Sequence, residues 1–292
     1  MGKEQVLAID IGGTSVKYGV VSPEGEITQK GKFKTGSQMI LSDFISNIND
    51  VVELAVKQGI KKIGISSLGT FDKAGMCLGG VENLPFLEGI NLPNEVKAKF
   101  PQMECRIIND GVAAAMGEYR LGEGQNCSSF ICVTLGTGIG GAIVIEGKPI
   151  LGSHFQSGEI GYSDYQGPNE YLEMRYSTKG VLKEAARQMQ VQKIGGIEFT
   201  DNVKAGEPIC SEIFQDWMEV LAKILANAVL LLDPEMIIIG GGISGEKEWI
   251  CNKFGTELKR KLPAAFGEKI CVKVAKNGND AGLLGATAIF IQ

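Results

Sequence analysis

Val6-Leu-Ala-Ile-Asp10-Ile-Gly-Gly-Thr14-Ser-Val-Lys-Tyr-Gly-Val-Val21 is the stretch on which the reading of this chain turns. Val6 to Ile11 is apolar and rich in β-branched residues apart from Asp10, as in a buried strand. Gly12, Gly13 and Thr14 interrupt it, and a second apolar run, Val16 to Val21, follows at once. So short a connection leaves no room for a helix, so the two runs form a hairpin. Glycines without Cβ atoms let backbone N–H groups approach a ligand closely. Thr14 adds a hydroxyl there, and Asp10 sets a carboxylate at the strand end.

The device returns later in the chain. Phe130 to Leu135 is apolar, Gly136 to Gly141 reads as a turn carrying Thr137, and Ala142 to Glu146 is apolar again. This weak internal duplication predicts two similar α/β domains around a cleft. The intervening pattern agrees with an α/β chain. Strands are expected at Glu26 to Phe33, Lys62 to Ser66, Cys105 to Asn109, Met236 to Ile239 and Val272 to Ala275. Helices are expected at Leu41 to Gln58, Asn94 to Phe100, Asp110 to Leu121, Ile213 to Leu232 and Ala281 to Ile291. Gly152 to Gly180 lacks periodicity and reads as a long functional loop or irregular insertion.

Bulk properties exclude several classes. With 292 residues, 44% hydrophobic and 22% charged, the chain has material for a substantial core. A net charge of −5 argues against nucleic acid as a partner. The seven cysteines are scattered and never form C-x-x-C, which argues against a disulfide framework or thiolate zinc site. No apolar run approaches the ~18 residues of a membrane span. Met-Gly-Lys-Glu-Gln lacks a leader's apolar core, and Val6 stands where a myristoylation signal needs Ser or Thr. A cytoplasmic protein is expected.

Three nucleotide-binding devices compete. The Walker A pattern is absent, since Gly147-Lys148 is followed by Pro149. Gly136, Gly138 and Gly141 match the dinucleotide spacing, but Ala142-Ile-Val-Ile-Glu146 follows them and alternates like a strand, offering no helix N-terminus to a pyrophosphate. There remains a pair of hairpins whose turns direct N–H groups and threonine hydroxyls at phosphate oxygens. Asp10 would hold Mg²⁺ through water. Taken alone, Asp110 reads as a helix N-cap, and Asn83 and Glu173 read as solvated loop residues.

Asp10-Ile-Gly-Gly-Thr14, with Lys17 after it, resembles the first phosphate motif of the ROK family (repressors, open reading frames and kinases). Leu135-Gly-Thr-Gly-Ile-Gly-Gly141 resembles its second. Asp233-Pro-Glu-Met-Ile-Ile-Ile-Gly-Gly-Gly-Ile-Ser244 resembles the strand and glycines beside the adenosine, and Asp280-Ala-Gly-Leu-Leu-Gly-Ala286 the start of the closing helix. The likeness covers essentially the whole chain, in order. It implies the two-domain actin-like ATPase and hexokinase fold, ribonuclease H-like in each half, with a cleft. Residues 1–112 plus 280–292 would form a sugar and phosphate domain, and 113–279 a nucleotide and dimerisation domain.

The resemblance also implies ATP-dependent phosphorylation of a sugar hydroxyl, the 6-OH of a hexose, N-acylhexosamine or β-glucoside, by a homodimer. Asp110 would be the general base and Asn109 would bond a neighbouring hydroxyl. Asn83, Glu159 and Glu173 would hold the sugar. Asp10, Gly12, Gly13, Thr14, Lys17, Gly136, Thr137, Gly138, Gly241 and Gly242 would hold Mg-ATP. Two departures stand out. Gly158-Glu-Ile-Gly161 is followed by Tyr162 where the family commonly has His, and Ser163 to Glu170 lacks the usual cysteines, so no zinc is expected. His154, Phe155 and Tyr162 are then expected to reshape the pocket for a glycoside or modified sugar. The alternative is a sugar-binding transcriptional regulator or non-catalytic sensor of the same family. Regulators carry an added helix-turn-helix domain, for which a first strand at Val6 leaves no room, and Asp10, Asp110 and both turns are intact.

Overall fold

The computed structural model describes residues 4–36, 38–242 and 247–290. Met1, Gly2 and Lys3 of the leader reading, Ile243 and Ser244 of the glycine motif, and Ile291 and Gln292 lie outside the described residues. The chain divides into two compact units. Unit 1 comprises Met1–Gly122, Leu151–Ser157 and Asp280–Gln292; unit 2 comprises Glu123–Ile150 and Gly158–Asn279.

In unit 1 the apolar hairpin forms as its pattern dictates. Strand β1 (Val6–Ile11) pairs antiparallel with β2 (Ser15–Val21), which pairs with β3 (Ile27–Lys34). Helix α1 (Leu41–Lys57) buries Phe44, Ile48, Val51, Val52 and Ala55, one face at helical spacing. It leads to β4 (Lys62–Ser67), parallel to β1. A small ribbon of β5 (Thr70–Phe71) and β6 (Cys77–Gly79) and helix α2 (Leu92–Lys99) precede β7 (Glu104–Asn109), parallel to β4. The sheet order is β3-β2-β1-β4-β7. Helix α3 (Asp110–Leu121) follows β7 directly.

Unit 2 repeats this plan. Strand β8 (Phe130–Leu135) pairs antiparallel with β9 (Ile139–Ile145), and β9 with β10 (Lys148–Ile150). Helices α4 (Leu172–Tyr176), α5 (Thr178–Gln188), α6 (Gly196–Lys204) and α7 (Pro208–Leu232) precede β11 (Met236–Gly240), parallel to β8. Helices α8 (Lys247–Lys261) and α9 (Ala264–Gly267) lead to β12 (Cys271–Val274), parallel to β11. The order β10-β9-β8-β11-β12 reproduces that of unit 1, strand for strand. The repeat read from two glycine turns thus extends to the whole sheet topology.

The last helix, α10 (Ala281–Ala288), returns to unit 1. It lies backbone against backbone on two elements. A Cβ at Gly285 would meet the Ala113 carbonyl of α3, and one at Gly64 would meet the Ala286 carbonyl. Arg120 of α3 donates to Thr287 Oγ1 at 2.6 Å. These contacts hold α3 in unit 1, so the boundary falls after Gly122 and not after residue 112, and Leu151–Ser157 also groups with unit 1.

Two local expectations are corrected. The second glycine turn is short: Gly140 and Gly141 lie within β9, where their missing Cβ atoms make room for Thr134 and for Gly158 and Ile160. Of the two readings of 152–180, the long loop is corrected and the irregular insertion fits, since the segment contains a 3-10 turn (Ile160–Tyr162), α4 and the start of α5. Among the described residues, no helix is long and apolar enough to cross a membrane.

Candidate active site

The parallel strands of unit 1 end side by side. Ile11 is level with Ser67, and Ser67 with Asn109. Ligands of open α/β sheets bind beyond such carboxyl ends. Asp10, one residue earlier on β1, faces Lys17 across the hairpin, with Lys17 Nζ 4.0 Å from Oδ2, and accepts a hydrogen bond from Ser66 Oγ at 3.0 Å. Its other neighbour is Gly282 of α10, where a Cβ would collide with the carboxylate. Burial raises the Asp10 pKa above the ordinary carboxylate range, and Lys17 and Ser66 only partly offset that. A divalent cation held through water beside this carboxylate would favour its charged form, so the residue fits the metal role assigned to it.

The turn after β1 is braced on both sides. Gly12 N–H donates to the Ser15 carbonyl at 3.0 Å, Thr35 Oγ1 donates to the Gly12 carbonyl at 3.0 Å, and Thr35 N–H donates to the Thr14 carbonyl at 3.0 Å. Gly13 is where Asn83 packs; a Cβ there would come within 2.9 Å of the Asn83 Cβ. The loop around Asn83 therefore rests on the glycine turn, and two sites separated by 70 positions meet because Gly13 has no side chain.

At the end of β7, two adjacent polar residues share one helix start. Asn109 is the N-cap of α3: its Oδ1 accepts from Gly111 N–H at 2.8 Å and Val112 N–H at 3.1 Å, while its Nδ2 donates to the Gly69 carbonyl at 3.0 Å. Asp110, in the first helical turn, is exposed, and its Oδ1 accepts from Gly111 N–H at 2.8 Å. The capping that the sequence offered to Asp110 is performed by Asn109. Asn109 Oδ1 is therefore committed to the backbone, and Nδ2 is its group that can still reach a substrate.

In unit 2 the turn Gly136–Gly138 stands at the carboxyl ends of β8 and β11. Gly136 N–H donates to the Gly138 carbonyl at 2.9 Å, and its carbonyl accepts from Lys179 N–H at 3.2 Å. Gly241, at φ +92°, sits against the backbone of Leu135, where a Cβ would clash, and open space lies beside Gly242. Gly136 and Gly242 line a cavity of about 680 Å³ with Thr137, Thr178, Lys179 and Lys183. That volume suits a nucleotide-sized ligand. The Thr178 hydroxyl is buried without a hydrogen-bond partner there, which is what a site lacking its ligand would leave. Four cations (Lys179, Lys183, Arg187 and Lys193), a threonine turn and an orphan hydroxyl fit an adenine nucleotide.

Lys179, Lys183 and Thr178 went unread in the sequence. Their signal was present: Ser177 caps α5 through Gly180 N–H at 3.2 Å, and Val181, Ala185 and Ala186 are buried at helical spacing.

Glu159 and Glu173 lie close enough to interact. Burial raises the Glu159 pKa, and the neighbouring Glu173 carboxylate adds to the rise. Glu173 Oε2 accepts a 2.6 Å hydrogen bond from Ile139 N–H and packs against Gly138 and Gly161. Glu173 therefore braces the second glycine turn, a role the sequence did not suggest, and brings that turn next to Glu159.

The ROK family model matches residues 6–292. A β-glucoside kinase from Listeria innocua is 32% identical, the match covering 99% of this chain and 98% of that protein. The solved ROK family glucokinase from Streptomyces griseus, in complex with glucose and AMPPNP, superposes with a TM-score of 0.81 at 26% identity over 98% of each chain. The ROK hexokinase from Thermus thermophilus, with a TM-score of 0.82 at 23% identity over 97% of each chain, shares the fold. The duplicated five-stranded units are thus those of the actin-like ATPase and hexokinase fold. The motifs from Asp10 to Gly282 sit in that fold in their expected order, and the chain belongs to the ROK family.

Proposed function

We propose that this ROK-family chain transfers the γ-phosphoryl group of ATP to a sugar hydroxyl, the 6-OH of a hexose, N-acylhexosamine or β-glucoside. It is a sugar kinase, as its curated relatives are. The observation that carries the reading is the division of labour at the start of α3, where Asn109 caps the helix and Asp110 presents its carboxylate beyond the strand ends. In this scheme the sugar hydroxyl gives its proton to Asp110 as its oxygen bonds the γ-phosphorus. The bond from that phosphorus to the bridging oxygen breaks, and ADP leaves. Positioning and charge neutralisation supply most of the acceleration in such reactions.

Thr137, Lys179 and the Gly241–Gly242 turn hold the nucleotide. Gly12, Gly13, Thr14 and Lys17 contribute to its phosphates, and Asp10 holds Mg²⁺ through water. The metal supplies neutralisation of the phosphate charge. Asn83, Asn109 through its Nδ2, Glu159 and Glu173 bind the sugar. The reading includes a cytoplasmic homodimer formed through unit 2, with no nucleic-acid partner.

The test is release of ADP against a panel of sugars and glycosides. Wild type should turn over at least one, and Asp110→Asn should keep the fold and lose ~10²–10⁴-fold in kcat, the usual contribution of a general base. Undiminished turnover in that variant would remove Asp110 from the chemistry.

A further inference from the structure

The segment that follows Glu159 carries three tyrosines that stack on one another. The ring of Tyr162 lies 4.9 Å from that of Tyr171, with 26° between planes, and Tyr165 lies 6.3 Å from Tyr171 at 18°. Yet Tyr162 is 49% exposed and Tyr165 62% exposed. Three near-parallel rings, with two of them wet, are an uncommon use of large apolar surface.

Their place in the fold ties them to the two carboxylates of the proposed sugar site. Tyr162 N–H bonds the Glu159 carbonyl at 3.2 Å, within a 3-10 turn. That bond sets Tyr162 one short turn along the backbone from Glu159. Gly161, between them, packs on Glu173, and Tyr171 is the N-cap of α4, two positions before Glu173. The stack therefore borders the Glu159–Glu173 pair, and all five residues belong to unit 2.

We propose that Tyr162, Tyr165 and Tyr171 form a platform for the aglycone ring of a glycoside. This rests on the sugar-kinase reading: the ring to be phosphorylated engages Glu159 and Glu173, and the group on its anomeric oxygen lies on the tyrosines. Aromatic faces suit such a group, because a phenyl ring stacks on them and a second pyranose presents its C–H face to them. A free monosaccharide leaves the platform wet. The tyrosines are thus specificity-determining residues that select glycosides over the parent sugar.

The test is steady-state kinetics of the full chain with glucose, methyl β-glucoside, phenyl β-glucoside and cellobiose, together with thermal melting. Wild type should favour the two-ringed substrates by about tenfold in kcat/KM, the scale of one aromatic contact. Tyr165→Ala should erase most of that preference by raising KM for phenyl β-glucoside and cellobiose, and Tyr165→Phe should restore it. An equal fall for all four substrates with a lowered Tm would overturn the platform and make the stack a staple for its loop. A preference that Tyr165→Ala leaves intact would overturn it as well. Phosphorylation of glucose alone defeats the platform and spares the kinase reading; turnover of no sugar at all defeats the kinase reading and the platform with it.

Discussion

Replacing Glu173 separates two roles that one side chain combines. Its Oε2 takes the Ile139 N–H at 2.6 Å, a short charge-assisted bond, where β9 leaves the glycine turn. In Glu173→Ala that N–H loses its acceptor in a partly buried turn. The loss should cost about 2 kcal/mol, which for a domain of this size lowers Tm by about 4–8 °C. Glu173→Gln keeps an oxygen in the same place and should lose less than half of that. Both variants remove the charge that helps raise the Glu159 pKa. A Glu159 carboxyl followed by NMR should therefore titrate lower in Glu173→Gln than in wild type. Differential scanning calorimetry and that titration are the two assays. An alanine variant that melts like wild type would refute the brace, and an unmoved Glu159 titration would refute the coupling.

Two further outcomes follow from unit 1. The raised Asp10 pKa means that the native state holds a proton at pH values where the unfolded chain has released it. Native stability should therefore fall as pH rises from the ordinary carboxylate pKa through the raised one, and then level off. Asp10→Asn should lose that slope, melt at or above wild type at neutral pH, and still lose Mg-ATP-dependent turnover, as melting curves across pH and an ADP-release assay would show. Gly285→Ala drives a methyl into the Ala113 carbonyl, and because both partners are backbone the helices must separate. A loss of roughly 1–3 kcal/mol or more is expected, read from urea unfolding.

The parts of the fold that sequence reading found are those with a local cause. The Asp10–Thr14 hairpin was legible because two β-branched runs flank glycines, and α1 because Phe44, Ile48, Val51, Val52 and Ala55 recur on one face. The cap at α3 read as Asp110, although Asn is as good a capping residue, and three-dimensional geometry assigns the work to Asn109. The segment 152–180 looked structureless because its pieces are held by contacts between residues distant in sequence, Glu173 on Ile139 and the tyrosines on one another, and short turns leave no periodicity. Gly140 and Gly141 misled in another way. Both are glycine for close packing within a strand, which in sequence looks the same as a turn.

The return of α10 to unit 1 gives the chain an order of assembly on the ribosome. Ala281–Ala288 is synthesised after every residue of unit 2, yet it fills the backbone-close seat formed by Gly64 and Ala113. Until it emerges, β1, β4 and α3 have an uncovered face, whereas most of unit 2 is continuous in sequence and has what it needs to close. The first half of the protein to be translated is then the second to finish folding. A nascent chain paused before residue 281 would expose an apolar seat suited to a chaperone.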